Sequence, residues 1–310
     1  MMAIDLVIPM VFSQDPQWQA RYAAASGNAS AATKNVRFRS WGTEGLLIRC
    51  CMKFMPWLRR IHILLASESQ RRHLDEAIGT NGKDGAVGPT INIVYHREFM
   101  PAKHLPCFNI CTIEMFLHRI PGLAEHFIYS NDDFFPLSPL QPDDFFRPSE
   151  KIAGAFLPCQ HLVERPYPSD TNIFNKFVQN GLNMIAADFG KQYTDTWLRG
   201  GHSMQPMLRT AVEEVCIRHA DRISRSFTFD RTENNFNQYI FAFYQYLSGK
   251  YIDYEAHHAY VGPKVPTNEV EAYLRSPNPG IVCLNDNECI ADWKQRAAIV
   301  RREIEARLER

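Results

Sequence analysis

The sequence contains no run of about twenty apolar residues, the length that a membrane-spanning helix needs. Its start, Met1-Met-Ala-Ile-Asp5, also lacks the basic region, apolar stretch and cleavage site of a secretion signal. The expected compartment is therefore the cytoplasm, with peripheral association with a membrane left open. An excess of either charge is missing too. The 34 basic residues stand against 34 acidic ones, so no global positive field points to nucleic acid as a partner. The eight cysteines include no Cys-x-x-Cys spacing, which argues against a zinc ribbon or a redox pair. Cys107 and Cys111, near His104 and His118, leave only a weak zinc candidate. A phosphate-binding P-loop is absent as well: within residues 79–88, Gly82-Lys83 is followed by Asp84 and no strand directly precedes the glycines, so a surface turn is expected.

What is present is an alternation of strand and helix patterns. Residues 4–11 read as a buried strand that ends early at Pro9, and 59–66, 91–95 and 127–130 read as three more. Helix candidates lie between them at 42–55, 71–78 and 110–120, the first with Leu46, Leu47, Cys50, Cys51 and Phe54 at helical spacing. This order predicts an α/β fold with a mostly parallel, Rossmann-like sheet, helices on both faces and a more helical C-terminal half. Residues 23–35 are small and polar, and no regular element is expected there. Residues 137–168, rich in proline, read as extended connections. Pro206 suits the first turn of a helix over 207–219. Phe236, Tyr239, Ile240, Phe243, Tyr244 and Leu247 mark an aromatic core stripe on a helix ended by Gly249. Residues 292–310 form a charged amphipathic helix expected to pack on the body.

The stretch from Phe127 to Phe135 places adjacent carboxylates, Asp132 and Asp133, directly after the fourth strand. Neighbouring ionised carboxylates between aromatic residues need a proton or a cation to offset their charge, and a hard divalent ion suits oxygen ligands. The competing reading has one aspartate capping the next segment and the other facing water. In parallel sheets ligands bind beyond the carboxyl ends of the strands. Polar residues do follow each strand here: Asp15, Ser67-Glu68, His96-Arg97 and Asn131-Asp132-Asp133. Loops are polar in any case, so both readings stay open at this point.

Several pieces together resemble the Stealth family of bacterial capsular and exopolysaccharide phosphotransferases, which includes relatives of N-acetylglucosamine-1-phosphotransferase. They are Ile4-Asp-Leu-Val7 with Asp15-Pro-Gln-Trp18, Arg37-Phe-Arg-Ser-Trp-Gly42 with Arg49, and the run from His96 through Asn109, Glu114 and His118 to Phe134. Later pieces are His202, Arg231 and Val282-Cys-Leu-Asn-Asp286. The resemblance implies a GT-A-like sheet and transfer of a sugar-1-phosphate from a nucleotide-sugar donor to a hydroxyl of a glycan acceptor, with Mg2+ or Mn2+ as cofactor. It implies Asp132 and Asp133 as metal ligands, Asp133 also being catalytic, with Asn131 orienting them. His202 is the expected base for the acceptor hydroxyl and Arg231 the two-pronged phosphate ligand. Asp15, Arg49, Asn109, Glu114 and His118 are the other expected substrate-binding residues. One catalytic domain is expected over 1–287, with a nucleotide-sugar and metal half at 1–150 and an acceptor-side, catalytic half at 151–287, before a C-terminal helix at 288–310.

Two departures bear on the donor. Phe12-Ser-Gln-Asp15 stands where many relatives have Asp-Gly-Ser-Asp, and Thr43 stands where many have glutamate, with Glu44 beside it. A metal-dependent glycosyltransferase and a non-catalytic nucleotide-sugar or glycan-binding protein are the alternatives to phosphotransfer.

Overall fold

The four apolar runs in the first half pair with one another, and the order in which they do so creates the crevice that holds the site. The structure, a computed structural model, describes residues 2–28, 36–79, 88–169, 172–286 and 290–310. The chain runs β1 (Ile4–Pro9), α1 (Pro16–Ser26), α2 (Glu44–Phe54), β2 (Arg60–Leu65), α3 (Arg71–Ile78), β3 (Thr90–Tyr95), α4 (His96–Phe99), α5 (Ile110–Glu114), β4 (His126–Tyr129) and β5 (Phe134–Pro136). It continues through β6 (Phe146–Pro148), β7 (Phe156–Gln160), β8 (Val163–Pro166), α6 (Ile173–Ala187), β9 (Thr196–Arg199), β10 (Gln205–Leu208), α7 (Arg209–Arg218) and α8 (Ala220–Arg225). The last elements are α9 (Tyr239–Leu247), β11 (Ile252–Asp253), β12 (His258–Val261), α10 (Thr267–Leu274), β13 (Ile281–Leu284) and α11 (Trp293–Glu309).

The central sheet has the order β10-β4-β1-β2-β3, with β1 to β4 parallel and β10 antiparallel to β4. Nearly every residue of β1 and β2 is buried, as continuous apolar runs require when both faces of a sheet are covered. The chain steps outward from β1 to β2 to β3 and then returns to the other side of β1 as β4. The strand order therefore reverses between β1 and β4, where a ligand crevice is expected. Among the described residues no helix is long and apolar enough to cross a membrane.

Several boundaries differ from expectation. The candidate helix over 110–120 is broken into α5 and a 3-10 turn at Leu117–Arg119. Residues 23–26 belong to α1, which buries Trp18 and Tyr22; residues 29–35, and 80–87 of the expected surface turn, lie outside the described residues. The connections over 137–168 contain three short strands. Pro206 lies within β10 instead of opening a helix, and α7 starts only at Arg209. An edge strand tolerates a residue without an N–H. The buried side chain of Gln245 covers that edge, accepting from the Leu208 N–H at 2.9 Å and donating to the Pro206 carbonyl at 3.3 Å. The aromatic helix α9 is buried at every position from Tyr239 to Gln245, because it packs against α6, α7 and the sheet. Its apolar residues are therefore not confined to a stripe. The C-terminal helix α11 packs on α2 and α10.

A polar network crosses the buried sheet. Asp5 of β1 accepts from Arg59 Nε at 2.8 Å, from His62 Nε2 at 3.0 Å and from the Ala124 N–H at 2.8 Å. Asn92 of β3 donates to His62 Nδ1 at 2.9 Å, which leaves the His62 proton on Nε2, facing Asp5. Burial alone would raise the pKa of Asp5, but the hydrogen bonds from Arg59, His62 and Ala124 outweigh it and hold the value at about 2. This carboxylate thus contributes stability that is complete above its unfolded value of 3.8 and lost as pH falls through about 2. Replacing Asp5 with alanine is expected to cost about 2 kcal/mol in urea unfolding at neutral pH, less than a fully buried pair because Arg59 is partly exposed. The difference between variant and wild type should shrink below about pH 3.

Candidate active site

The tight turn between β4 and β5 carries Asn131, Asp132 and Asp133 to the carboxyl end of the sheet. The turn is fixed from the far end of the chain. β13 pairs antiparallel with β5, and the Leu284 N–H donates to the Asp133 carbonyl at 2.9 Å. The Cys283 thiol then lies 3.5 Å from Asp133 Oδ2, while Asp133 Oδ1 is buried without a hydrogen-bond partner among the described residues. Asp132 is exposed where it opens into the cavity, yet protein atoms crowd it on several sides. Burial, and next the charge of Glu44, push its pKa up to about 6. Burial, and next the charge of Asp132, push Asp133 to about 7. Glu44 lies at the start of α2, in contact with the Ser40 hydroxyl, and borders the same cavity. A carboxylate therefore borders the cavity one residue after Thr43.

His202 stands beside the pair, held edge-on by Phe134 at 5.0 Å and Tyr260 at 5.5 Å between ring centroids. Its Nδ1 lies 3.3 Å from the buried Tyr239 hydroxyl. Burial, followed by the nearby charges of Arg199 and His258, lowers its pKa to about 4, so the ring is neutral at physiological pH. Ligand atoms of Asp133, His202 and Cys283 lie within 4.8 Å of one another. Cys107 and Cys111 are free thiols elsewhere along the cavity wall.

Arg231 borders the cavity from the 226–235 loop, and its guanidinium has no hydrogen bond or ion pair with the described residues. Asn109 holds that loop: its side-chain nitrogen donates to the carbonyls of Thr228 at 3.0 Å and Asp230 at 3.3 Å, while its oxygen caps α5 at the Cys111 N–H. Glu114 is buried and both its oxygens are occupied, one by the Tyr129 hydroxyl at 2.7 Å and the other by the Gln238 N–H at 2.9 Å. Burial pushes its pKa up to about 7. Asn109 and Glu114 are thus braces at the cavity's edge whose polar groups are committed to the protein.

Three expected residues are not brought to the cavity. Asp15 is buried as the N-cap of α1, accepting from the Gln17 N–H at 3.1 Å and from the Ser69 hydroxyl. Arg49 is exposed on the outer face of α2, because that helix turns Leu46, Leu47 and Cys50 inward. His118 lies on the 3-10 turn near Glu213 and Arg209 of α7, where burial lowers its pKa to about 4. Sequence reasoning gave no site roles to Arg37, Glu44, Cys283 and Asn285, which lie near the pair or along the cavity, and read Tyr239, which meets His202, as core. Cys283 and Asn285 lie within Val282-Cys-Leu-Asn-Asp286, a piece of the family resemblance, and that was the available signal.

Comparison with known proteins assigns the family. A family model for Stealth protein CR2, conserved region 2, matches residues 37–153. Over 256 residues the chain is 30% identical to the capsular polysaccharide phosphotransferase fcs1 of Haemophilus influenzae, an alignment covering 80% of this chain and 66% of that protein. The chain belongs to the Stealth family. It is also 26% identical to the receptor polysaccharide phosphotransferase WefC of Streptococcus oralis, across 94% of this chain and 93% of that one. It spans less than half of others, 42% of a capsular polysaccharide phosphotransferase of Actinobacillus suis to which it is 35% identical over 52% of this chain. Among solved structures, the galactosyltransferase LgtC in complex with donor and acceptor sugar analogs aligns over 97% of this chain and 95% of its own, with a TM-score of 0.44 and 12% identity. Stealth conserved region 2 contributes Arg37, Glu44, Asn109 and the aspartate pair to the cavity, whereas His202, Arg231 and Cys283 come from beyond it.

The residues fit a divalent cation. Asp132, Asp133 and Glu44 gather negative charge, and Asp133 Oδ1 makes no hydrogen bond of normal geometry with the described residues. Without a cation both aspartates bind protons more readily folded than unfolded, their unfolded value being 3.8. Stability is therefore expected to fall as pH rises from about 4 to about 7, where the folded chain holds more protons. In metal-free buffer the melting temperature should drop over this interval more for wild type than for the Asp132→Asn, Asp133→Asn double variant. At neutral pH, Mg2+ or Mn2+ should raise it for wild type alone.

Proposed function

We propose that this chain transfers a sugar-1-phosphate from a nucleotide sugar to a hydroxyl of a glycan acceptor, forming a phosphodiester in capsular or exopolysaccharide synthesis. The observation that carries this reading is an arginine with no hydrogen bond or ion pair among the described residues, Arg231, on the same cavity as the Asp132–Asp133 pair. A donor diphosphate needs both a cationic clamp and a metal, and the phosphotransferase names of the relatives agree. Asp132 and Asp133 would hold Mg2+ or Mn2+, with Asn131 orienting them and Glu44 adding charge. Bound there, the ion supplies neutralisation of phosphate charge.

The protein's own groups do the remaining work. His202, neutral because it is buried, takes the proton of the acceptor hydroxyl on Nε2 while Nδ1–H donates to the Tyr239 oxygen. The acceptor oxygen forms a bond to the sugar-linked phosphorus, the bond from that phosphorus to the nucleotide's bridging oxygen breaks, and nucleoside monophosphate leaves. Arg231 grips the transferred phosphate with two N–H groups. The half-buried cavity, about 410 Å3, falls in the range of roughly 300–1,000 Å3 typical of small-molecule sites.

Nucleotide chromatography and phosphorus NMR of the glycan are expected to find nucleoside monophosphate and a phosphate-bearing product. Nucleoside diphosphate with a phosphate-free product would establish the glycosyltransferase instead, and no acceptor-dependent turnover across a donor panel would leave a binding protein. His202→Ala should lower turnover at least about a hundredfold with donor affinity little changed. Arg231→Lys should also be slow, because an ammonium cannot reproduce the two-pronged contact.

A further inference from the structure

One wall of the cavity is aromatic and has no part in the chemistry above. Phe38, Phe108 and Phe229 are half-buried and border the cavity, with Trp18 and Tyr22 buried behind them. These rings form an apolar cluster separate from the main core. Trp18 meets Phe38 edge-on at 4.9 Å and Phe108 at 5.7 Å, and Phe229 lies 5.6 Å from Phe108 and 5.1 Å from Tyr22. Four separate segments supply the rings, so each is fixed by neighbours distant in sequence. Val11, just past β1, and Ala66, just past β2, join the cluster, which puts the wall at the carboxyl end of the parallel strands. Arg37, next to Phe38, also borders the cavity near Arg231: burial and then the charge of Arg231 lower its pKa. Two guanidiniums held near each other favour an anion with more than one charge.

We infer that this aromatic wall is the subsite for the donor's nucleobase and that Arg37 is a second cation for its diphosphate. The inference rests on the nucleotide-sugar reading and locates the donor within it. A wall of fixed rings matches a flat heteroaromatic group, which gains from stacked or edge-to-face contact. The acidic end of the same cavity is left for the sugar phosphate.

Calorimetry in Mg2+ with UMP, CMP and GMP against ribose 5-phosphate tests it, since ribose 5-phosphate keeps the anion and lacks the base. At least one monophosphate should bind wild type about tenfold or more tightly than ribose 5-phosphate, as for one base stacked on aromatic groups. Phe108→Leu and Phe229→Leu, with their fold checked by circular dichroism, should cut that ratio to about threefold or less and leave ribose 5-phosphate affinity unchanged. Arg37→Met should weaken both ligands by a similar factor. An unchanged ratio in folded leucine variants overturns the subsite while leaving the donor reading intact. Failure of every nucleotide to bind wild type overturns both. If the leucine variants do not fold, Trp18→Phe keeps a ring in place: monophosphate, and not ribose 5-phosphate, should quench tryptophan emission in wild type and clearly less in that variant, where Trp41 still borders the cavity, and quenching of undiminished size there refutes the assignment.

Discussion

The buried carboxylate of Asp5 is the constraint on which the sheet depends. A charge with no exposure to water is tolerable only when its lone pairs are occupied, and Asp5 recruits partners from the start of β2, from β2 itself and from the approach to β4. His62 passes the demand on to Asn92 in β3. Apolar side chains would tolerate a slip of two residues along a strand, whereas this network is satisfied in one register only. Register matters because the strands' carboxyl ends set the heights of Val11, Ala66 and Asn131 around the crevice.

Above that frame the site divides its labour among segments of different stiffness. The aspartate pair sits in a turn clamped by β13, His202 is wedged between two rings, and Arg231 depends on a loop held by the amide of Asn109. Each brace commits its own polar atoms to the protein. Among the described residues that leaves Asp133 Oδ1 and the guanidinium of Arg231 with unmet bonding capacity at the cavity.

The first half of the fold was legible because its strands are continuous apolar runs, and Arg71–Ile78 was read with the bounds that the structure has. The later elements were harder. Pro206 carries a helix-start signal that tertiary context overrides, since at a sheet edge its missing N–H costs nothing. Asp132 and Asp133, which follow a strand directly, do border the cavity, as that placement led one to expect. Asp15, Arg49 and His118 do not line it, because a motif fixes a residue's place in the chain but not whether a cap, an outer helix face or a neighbouring helix claims its side chain. Glu114 shows the same limit: only the fold brings Gln238 and Tyr129 to its two oxygens.

The clamp between β13 and the aspartate turn has a consequence for how the molecule comes into being. Asp133 and Cys283 are 150 residues apart, so closing this contact carries a large loop entropy and belongs late in folding. During synthesis the parallel strands β1 to β4 can pair long before β13 exists, which leaves the acidic turn without its backbone tether. The chemistry-bearing end of the cavity is therefore assembled last, after the wall assigned to the nucleobase has most of its rings in place.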